Sequence, residues 1–275
     1  YITTTYIRVK RNNTNNIETI PLEVYIVGVL AGEMPINFDI EALKAQAVAS
    51  RSYALKRMEY NKDNDYDVVD SIMNQVYLDE DYLKEAWGHN YVKNINKLRT
   101  AVNETLDEYL EYNNSIVDAM FFSTSNGYTE DSQNVFNFPC DYLKSVDSPW
   151  DSEVSSAYLT NKTISLKEFY EKLNLPYSKN LNVEIIKRSS TNRILLLKIN
   201  DHEFKGTDLY NKLSLRSTDF TLELNGDNIK ITMKGYGHGV GMSQYGALGM
   251  AKKGYTYQEI LKHYYPNTNI TKLKN

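Results

Sequence analysis

The sequence predicts an α+β fold of mixed α/β type, in which a larger body of residues 1–151 and 216–275 carries a smaller inserted lobe at residues 152–215. Three observations lead there. Strand-like alternation and helical spacing succeed one another between Tyr6 and Met58, and a long polar loop occupies the middle of the chain. Beyond residue 152 a capped helix and several alternating segments supply a small helix and sheet of their own. At 275 residues the chain is about 1.8 times a typical domain of roughly 150, long enough to bury a sizeable core in one large domain or two smaller ones.

Each element has a local reason. Tyr6–Lys10 and Ile17–Ile20 alternate around the polar turn 11–16, a hairpin. Pro21 opens a helix whose apolar residues Leu22, Tyr25, Ile26, Val29 and Leu30 share one face, and Pro35 ends it, because a residue before proline avoids the helical region. Asp39 is a suitable N-cap for a second helix, Ile40 to Met58, rich in strong helix formers. From Glu59 to Glu85 nine acids face two lysines, which reads as a solvated loop region; the Asp63–Asp67 run lacks the glycine and glutamate of a calcium loop.

Tyr91 to Asn103 reads as a helix, and Glu108–Tyr112 and Ile116–Ser123 as strands around an Asn113-Asn114 turn. Residues 124–150 form a polar loop of functional length, within which Asp141–Val146 alternates as a strand would. Ser165 to Leu173 has a capping-box pattern, and Val183–Ile186, Arg193–Ile199 and Phe220–Leu224 alternate, with a short helix at Thr207–Leu213. Five glycines crowd Tyr236–Gly249, and Thr256–Tyr264 closes the chain as a helix.

Composition excludes several classes. With 41% hydrophobic residues the chain is not disordered, and a formal charge of 31 − 35 = −4 leaves no basic surplus for nucleic acid. The 23 tyrosines against 8 phenylalanines and 2 tryptophans suit sugars and polyols, or serve equally as core filler. One cysteine, Cys140, rules out an internal disulfide, and its flanks match no thiol-enzyme signature. His89, His202, His238 and His263 lie far apart with no H-E-x-x-H pair, so no metal and no cofactor is expected. No run approaches the roughly 18 apolar residues of a membrane span, and the chain begins at Tyr1, so an N-terminal signal or anchor is expected to be missing.

Several residues could carry chemistry. Glu33 follows an apolar stretch at a helix end, where desolvation raises a carboxyl pKa and makes a usable general acid; a surface glutamate at a frayed end is the alternative. Lys44 and Arg51, seven residues apart, fall on one helical face with the small Ala47 and Val48 between them. That slim cationic face can meet a carboxylate, a sugar substituent or the protein's own acids such as Glu41. Ser123 to Glu130 gathers hydroxyls and an amide around Gly127, and Tyr142 with Lys144 would share one strand face. Gly237, Gly239 and Gly241 do not make a dinucleotide fingerprint, since no acid follows at the right spacing; they turn the backbone tightly around His238.

Taken together, Val29–Pro35, Glu41–Leu55, the Ser123–Glu130 loop, Tyr142–Asp151 and the glycine segment around His238 resemble, in order and spacing, the stage II sporulation protein D family. The resemblance spans Pro21 to Tyr265 and is weakest through the acidic stretch and residues 152–205. It implies a peptidoglycan lytic transglycosylase of endospore-forming bacteria, acting outside the cytoplasmic membrane during engulfment on peptide-stripped glycan strands. A sporulation amidase and a membrane scaffold protein are the implied partners. Carried over, Glu33 falls on the family's catalytic acid and Arg51 on its cleft arginine; Ser123, Ser125, Thr129, Tyr142 and Lys144 fall on motifs that line the cleft, with Lys44 and His238 beside them. Phe121-Phe122 and Asn126 depart from the family pattern at one edge of that cleft.

One carboxyl suffices for this reaction. It protonates the glycosidic oxygen and then takes a proton from the muramic C6 hydroxyl, which attacks intramolecularly to leave a 1,6-anhydro end. Two rivals remain: a non-catalytic glycan-binding amidase enhancer, and a two-carboxylate hydrolase with Asp147 or Asp151 as the second acid. The expected groove is open at both ends, with Arg51 and Lys144 pointing into it near Glu33.

Overall fold

A computed structural model describes residues 5–274. Helices and short sheets are mixed along the chain, as the α+β expectation requires. Two compact units emerge, one made of the residues up to Met120 and from Met250 onward, the other of Phe121–Gly249. The second unit is thus wider than the lobe expected at 152–215.

In the first unit Tyr6–Lys10 pairs antiparallel with Ile17–Pro21 and parallel with Val68–Val69. The helix Leu22–Glu33 is buried from Leu22 to Leu30 except at Val24, which explains its nearly uninterrupted apolar sequence. It packs on the helix Ile40–Tyr60, whose buried Ala42, Ala45, Ala47, Ala49 and Ala54 permit close approach. Asp39 stands at the N-cap position without a side-chain cap hydrogen bond. Glu108–Tyr112 is the central strand of a sheet with Ser115–Ile116 and Asn269–Lys272, and Asn113 and Asn114 turn its hairpin at φ 47° and 61°.

The acidic stretch is more ordered than a solvated loop. Arg8 grips Asp67, and Arg11 reaches Glu18, Asp70 and Asp79. Asp79 also accepts from the Tyr82 N–H, capping the helix Glu80–Trp87 that composition alone did not reveal.

In the second unit Leu159–Ser165 and Phe220–Asn225 flank Asn228–Lys234, and Val183–Arg188, Ile194–Ile199 and His202–Lys205 form a second sheet. One apolar core joins Ile164, Phe169, Leu197, Phe220 and Ile231. The division expected between residues 215 and 216 would therefore cut through this core and separate Leu159–Ser165 from its ladder partner Asn228–Lys234. Asp141–Val146 is not a strand. Side chains and loop backbone take its ladder groups instead: Thr129 holds Val146 through both its N–H and its hydroxyl, Ser132 N–H reaches the Leu143 carbonyl, and Asp131 accepts from Ser145 N–H.

Candidate functional site

Glu33 closes the helix Leu22–Glu33 and is half-buried. Its setting is made by two glycines. A Cβ on Gly28 would lie 2.6 Å from the Leu78 carbonyl oxygen, and one on Gly32 would lie 2.7 Å from Val76 Cγ1. The helix thus carries a flat slot in which residues 76–78 lie against its backbone, and Leu78 N–H donates to the Gly28 carbonyl at 3.2 Å. In that position Val76 N–H donates to Glu33 Oε1, at 2.9 Å. The Tyr77 ring stacks on Tyr25 at 5.3 Å, and Gln75 Nε2 donates to the Ser50 carbonyl.

Lys44 and Arg51 do share a face of their helix, but the protein's own groups occupy it. The Lys44 ammonium sits 2.5 Å from Glu104 and 3.6 Å from Glu41, over the Tyr257 ring. Burial alone would lower its pKa; Glu104 and Glu41 turn the net shift upward. Tyr257 donates its hydroxyl to Glu108, whose backbone carbonyl accepts from Arg51 Nη1 at 2.8 Å. Arg51 is expected in a cleft and is instead wholly enclosed, at 0% exposure, with its Nε and Nη2 on the two oxygens of the equally buried Glu23. A core guanidinium of this kind ties helix to helix and strand.

The hydroxyl-rich loop of the second unit is likewise turned inward. Ser125 and Thr129 are fully buried, Ser125 Oγ donating to the Ser148 carbonyl and Thr129 Oγ1 accepting from Val146 N–H. Ser123 is half-buried beside the Thr124 hydroxyl. Asp151, also fully buried, accepts from Ser125 N–H, Ser148 Oγ and Ser243 Oγ. These bonds fasten the loop that carries Tyr142, half-buried, and Lys144, exposed.

The glycines around His238 serve packing. A Cβ on Gly237 would stand 2.8 Å from Phe122 Cβ, and one on Gly239 would stand 2.8 to 2.9 Å from the guanidinium of Arg193, at φ 111° and 86° respectively. His238 lies between the rings of Phe122 and Phe136, with its Nδ1 accepting from Val240 N–H at 3.0 Å and a further bond to the Phe121 backbone. Burial holds its pKa down to about 4, against the raising effect of that backbone bond, so the imidazole is neutral above mildly acidic pH.

Sequence reading missed a second buried network. Glu130, 1% exposed, accepts from the hydroxyls of Ser189 and Thr191, and Thr191 bridges it to Arg193. It also missed Gln75 and Tyr77 in the segment that crosses the helix; the Gly28 to Gly32 spacing is the signal that could have pointed to it. Among the described residues, no group of three or more histidines, cysteines and acids is placed to hold a metal ion, and no helix is long and apolar enough to cross a membrane.

The family described as stage II sporulation protein matches residues 10–112. The chain is 43% identical over 268 residues to stage II sporulation protein D of Bacillus amyloliquefaciens, covering 96% of this chain and 78% of that protein. Against the protein of the same name from Bacillus subtilis (strain 168) the identity is 43% over 270 residues, with the same coverage of 96% and 78%. An amidase enhancer of Bacillus subtilis (strain 168) is 30% identical over 299 residues, covering 89% of this chain and 40% of that protein.

Proposed function

The chain belongs to the stage II sporulation protein D family, and on that premise we propose that it is a peptidoglycan lytic transglycosylase that cuts the β-1,4 bond between N-acetylmuramic acid and N-acetylglucosamine in peptide-stripped strands. Glu33 is its single acid and base. The protonated carboxyl donates to the glycosidic oxygen as that bond breaks; the resulting carboxylate then removes the C6 hydroxyl proton as O6 bonds to C1. No water is consumed, and the carboxyl ends protonated as it began. Tyr142 and Lys144 are the proposed direct sugar contacts of the second unit; Lys44, Arg51, Ser123, Ser125, Thr129 and His238 fall on the same family motifs but engage the protein's own groups.

The observation that carries this reading is the contrast between carboxylates. Glu33 is half-buried, with a backbone N–H on one oxygen, whereas of the two candidates for a second acid Asp151 is enclosed with three donors on its carboxylate and Asp147 lies exposed on the second unit. A one-carboxylate mechanism fits that contrast better than a hydrolase pair. The amidase-enhancer relative favours a second reading, a glycan-binding protein that positions an amidase and cuts nothing. In either case the proposed setting is extracytoplasmic, facing the cell wall during sporulation, with an amidase and a membrane scaffold as partners.

Incubation of the purified chain with peptide-free glycan, read by mass spectrometry, tests this. New 1,6-anhydro ends that disappear in Glu33→Gln support the transglycosylase; products heavier by one water indicate hydrolysis; intact strands that remain bound indicate the enhancer role. Glu33→Gln is expected to fold normally, since the amide keeps the size of the side chain and its acceptor for Val76 N–H.

A further inference from the structure

Residues 70–79 connect the strand Val68–Val69 to the helix Glu80–Trp87 and form no strand or helix of their own. Their tip is open to solvent, with Ile72 90% and Met73 80% exposed, so packing does not fix that part of the path. The same segment brings Val76 N–H to Glu33 Oε1, and a shift of its backbone moves that donor with it.

One side chain holds both ends of the segment. Arg11 Nε donates to Asp70 Oδ2 and Arg11 Nη2 to Asp79 Oδ2, each at 2.7 Å, and Arg11 Cζ lies 5.2 Å from the centre of the Tyr77 ring, next to Val76. Its remaining arm, Nη1, reaches Glu18 in the strand Ile17–Pro21 at 3.1 Å. Each acid is oriented in its turn: Asp70 accepts from Asn12 N–H and Asp79 from Tyr82 N–H, both at 2.8 Å. Within the segment, Gln75 and Leu78 flank Val76 and donate to the Ser50 and Gly28 carbonyls at 3.2 Å. The charge-assisted bonds at the two ends are shorter, and bonds of that kind are the stronger.

We propose that Arg11 is a positioning residue for Glu33: by holding Asp70, Asp79 and the Tyr77 ring on one planar fork, it sets the place of the Val76 N–H and so the carboxyl that this N–H binds. The assignment deepens the transglycosylase reading and rests on it for its catalytic consequence. Electrostatics agree with the geometry. Burial opposes the charge of Arg11, and its bonds to Asp79, Asp70 and Glu18 outweigh that and raise its pKa. Asp79 is held below the usual carboxylate range, first by the Tyr82 N–H and then by Arg11.

Arg8 supplies the control. It grips Asp67, ahead of the segment, and makes its side-chain hydrogen bonds to Asp67, Asn64 and Asn61, none of them within residues 70–79. With the full chain labelled with nitrogen-15, the Val76 amide shift is followed by NMR through the ionisation of Glu33, which Glu33→Gln identifies by abolishing the response. The parent amide is expected to follow that ionisation, and the amide of Arg11→Met to lose the dependence. On peptide-free glycan, kcat of Arg11→Met is expected to fall by about tenfold to a hundredfold with KM unchanged. Arg8→Met, compared at a temperature where both variants are folded, is expected to keep the amide response and the parental kcat. Arg11→Lys keeps the charge but has no fork to span both acids, so it is expected to fall between Arg11→Met and the parent, and it carries the test if Arg11→Met does not fold. A Val76 amide that follows Glu33 equally in the parent and the Arg11 variants, or a loss of kcat as large in Arg8→Met, overturns the proposal. A parent that cuts no glycan, while its Val76 response still depends on Arg11, defeats the catalytic reading alone.

Discussion

Glu23 and Arg51 meet through two hydrogen bonds, 2.9 Å from Nε to Oε1 and 2.7 Å from Nη2 to Oε2, with both side chains out of solvent. The pair joins the helix Leu22–Glu33 to the helix Ile40–Tyr60, and Nη1 extends it to the strand Glu108–Tyr112. Removing one member of such a pair leaves a buried charge without compensation. Arg51→Ala is therefore expected to destabilise the fold by about 3–5 kcal/mol in urea unfolding. Glu23→Gln with Arg51→Met in one chain should recover much of that loss. A variant Arg51→Ala with parental stability and weakened glycan binding would return Arg51 to the binding surface.

Gly32→Ala places a methyl group 2.7 Å from Val76 Cγ1 and 2.9 Å from its carbonyl oxygen. The crossing segment must withdraw, and the Val76 bond to Glu33 goes with it. Overpacking of this kind costs about 1–3 kcal/mol. The expected result is a lower melting temperature together with a loss of glycan cleavage in protein that is still folded at the assay temperature.

His238 makes stability depend on acid. Its folded pKa of about 4 lies below the roughly 6.5 of an unfolded histidine, so between those values the unfolded chain binds the extra proton. The contribution is complete above about pH 6.5 and is lost as pH falls toward 4, about 3 kcal/mol in all. His238→Gln should flatten the slope of unfolding free energy across that window. Equal slopes in the two proteins would show that the imidazole is solvated.

Asp151→Asn separates a clamp from a second catalytic acid. The carboxylate receives Ser125 N–H and the hydroxyls of Ser148 and Ser243, and an amide cannot accept all three. About 2–3 kcal/mol of stability should be lost. The folded remainder should still yield anhydro ends. A stable variant without cleavage would favour the two-carboxylate hydrolase.

Local signals were legible where one short segment contained them. Proline, the apolar face and the small residues foretold the helices Leu22–Glu33 and Ile40–Tyr60, and Asn113-Asn114 foretold its hairpin. Asn228–Lys234 is legible in the same way, since its buried Ile229, Ile231 and Met233 alternate with Asn228, Lys230, Thr232 and Lys234; only the fold supplies its place between Leu159–Ser165 and Phe220–Asn225. Asp141–Val146 misled: it alternates, but side chains of a neighbouring loop take its backbone groups before any strand can.

By itself the sequence determined the family, the mixed helix and strand content, and the position of Glu33 at the end of an apolar helix. Those follow from short-range spacing and from motifs that keep their order along the chain. The tertiary structure alone decided which charges meet solvent. Arg51 and Lys144 look alike in sequence, yet one is sealed against Glu23 while the other is exposed. Likewise Gln75 and Tyr25 stand 50 residues apart and come together only because two glycines let a distant segment lie on the helix. Burial and pairing are collective properties of packed surfaces, and no residue's own type or spacing contains them.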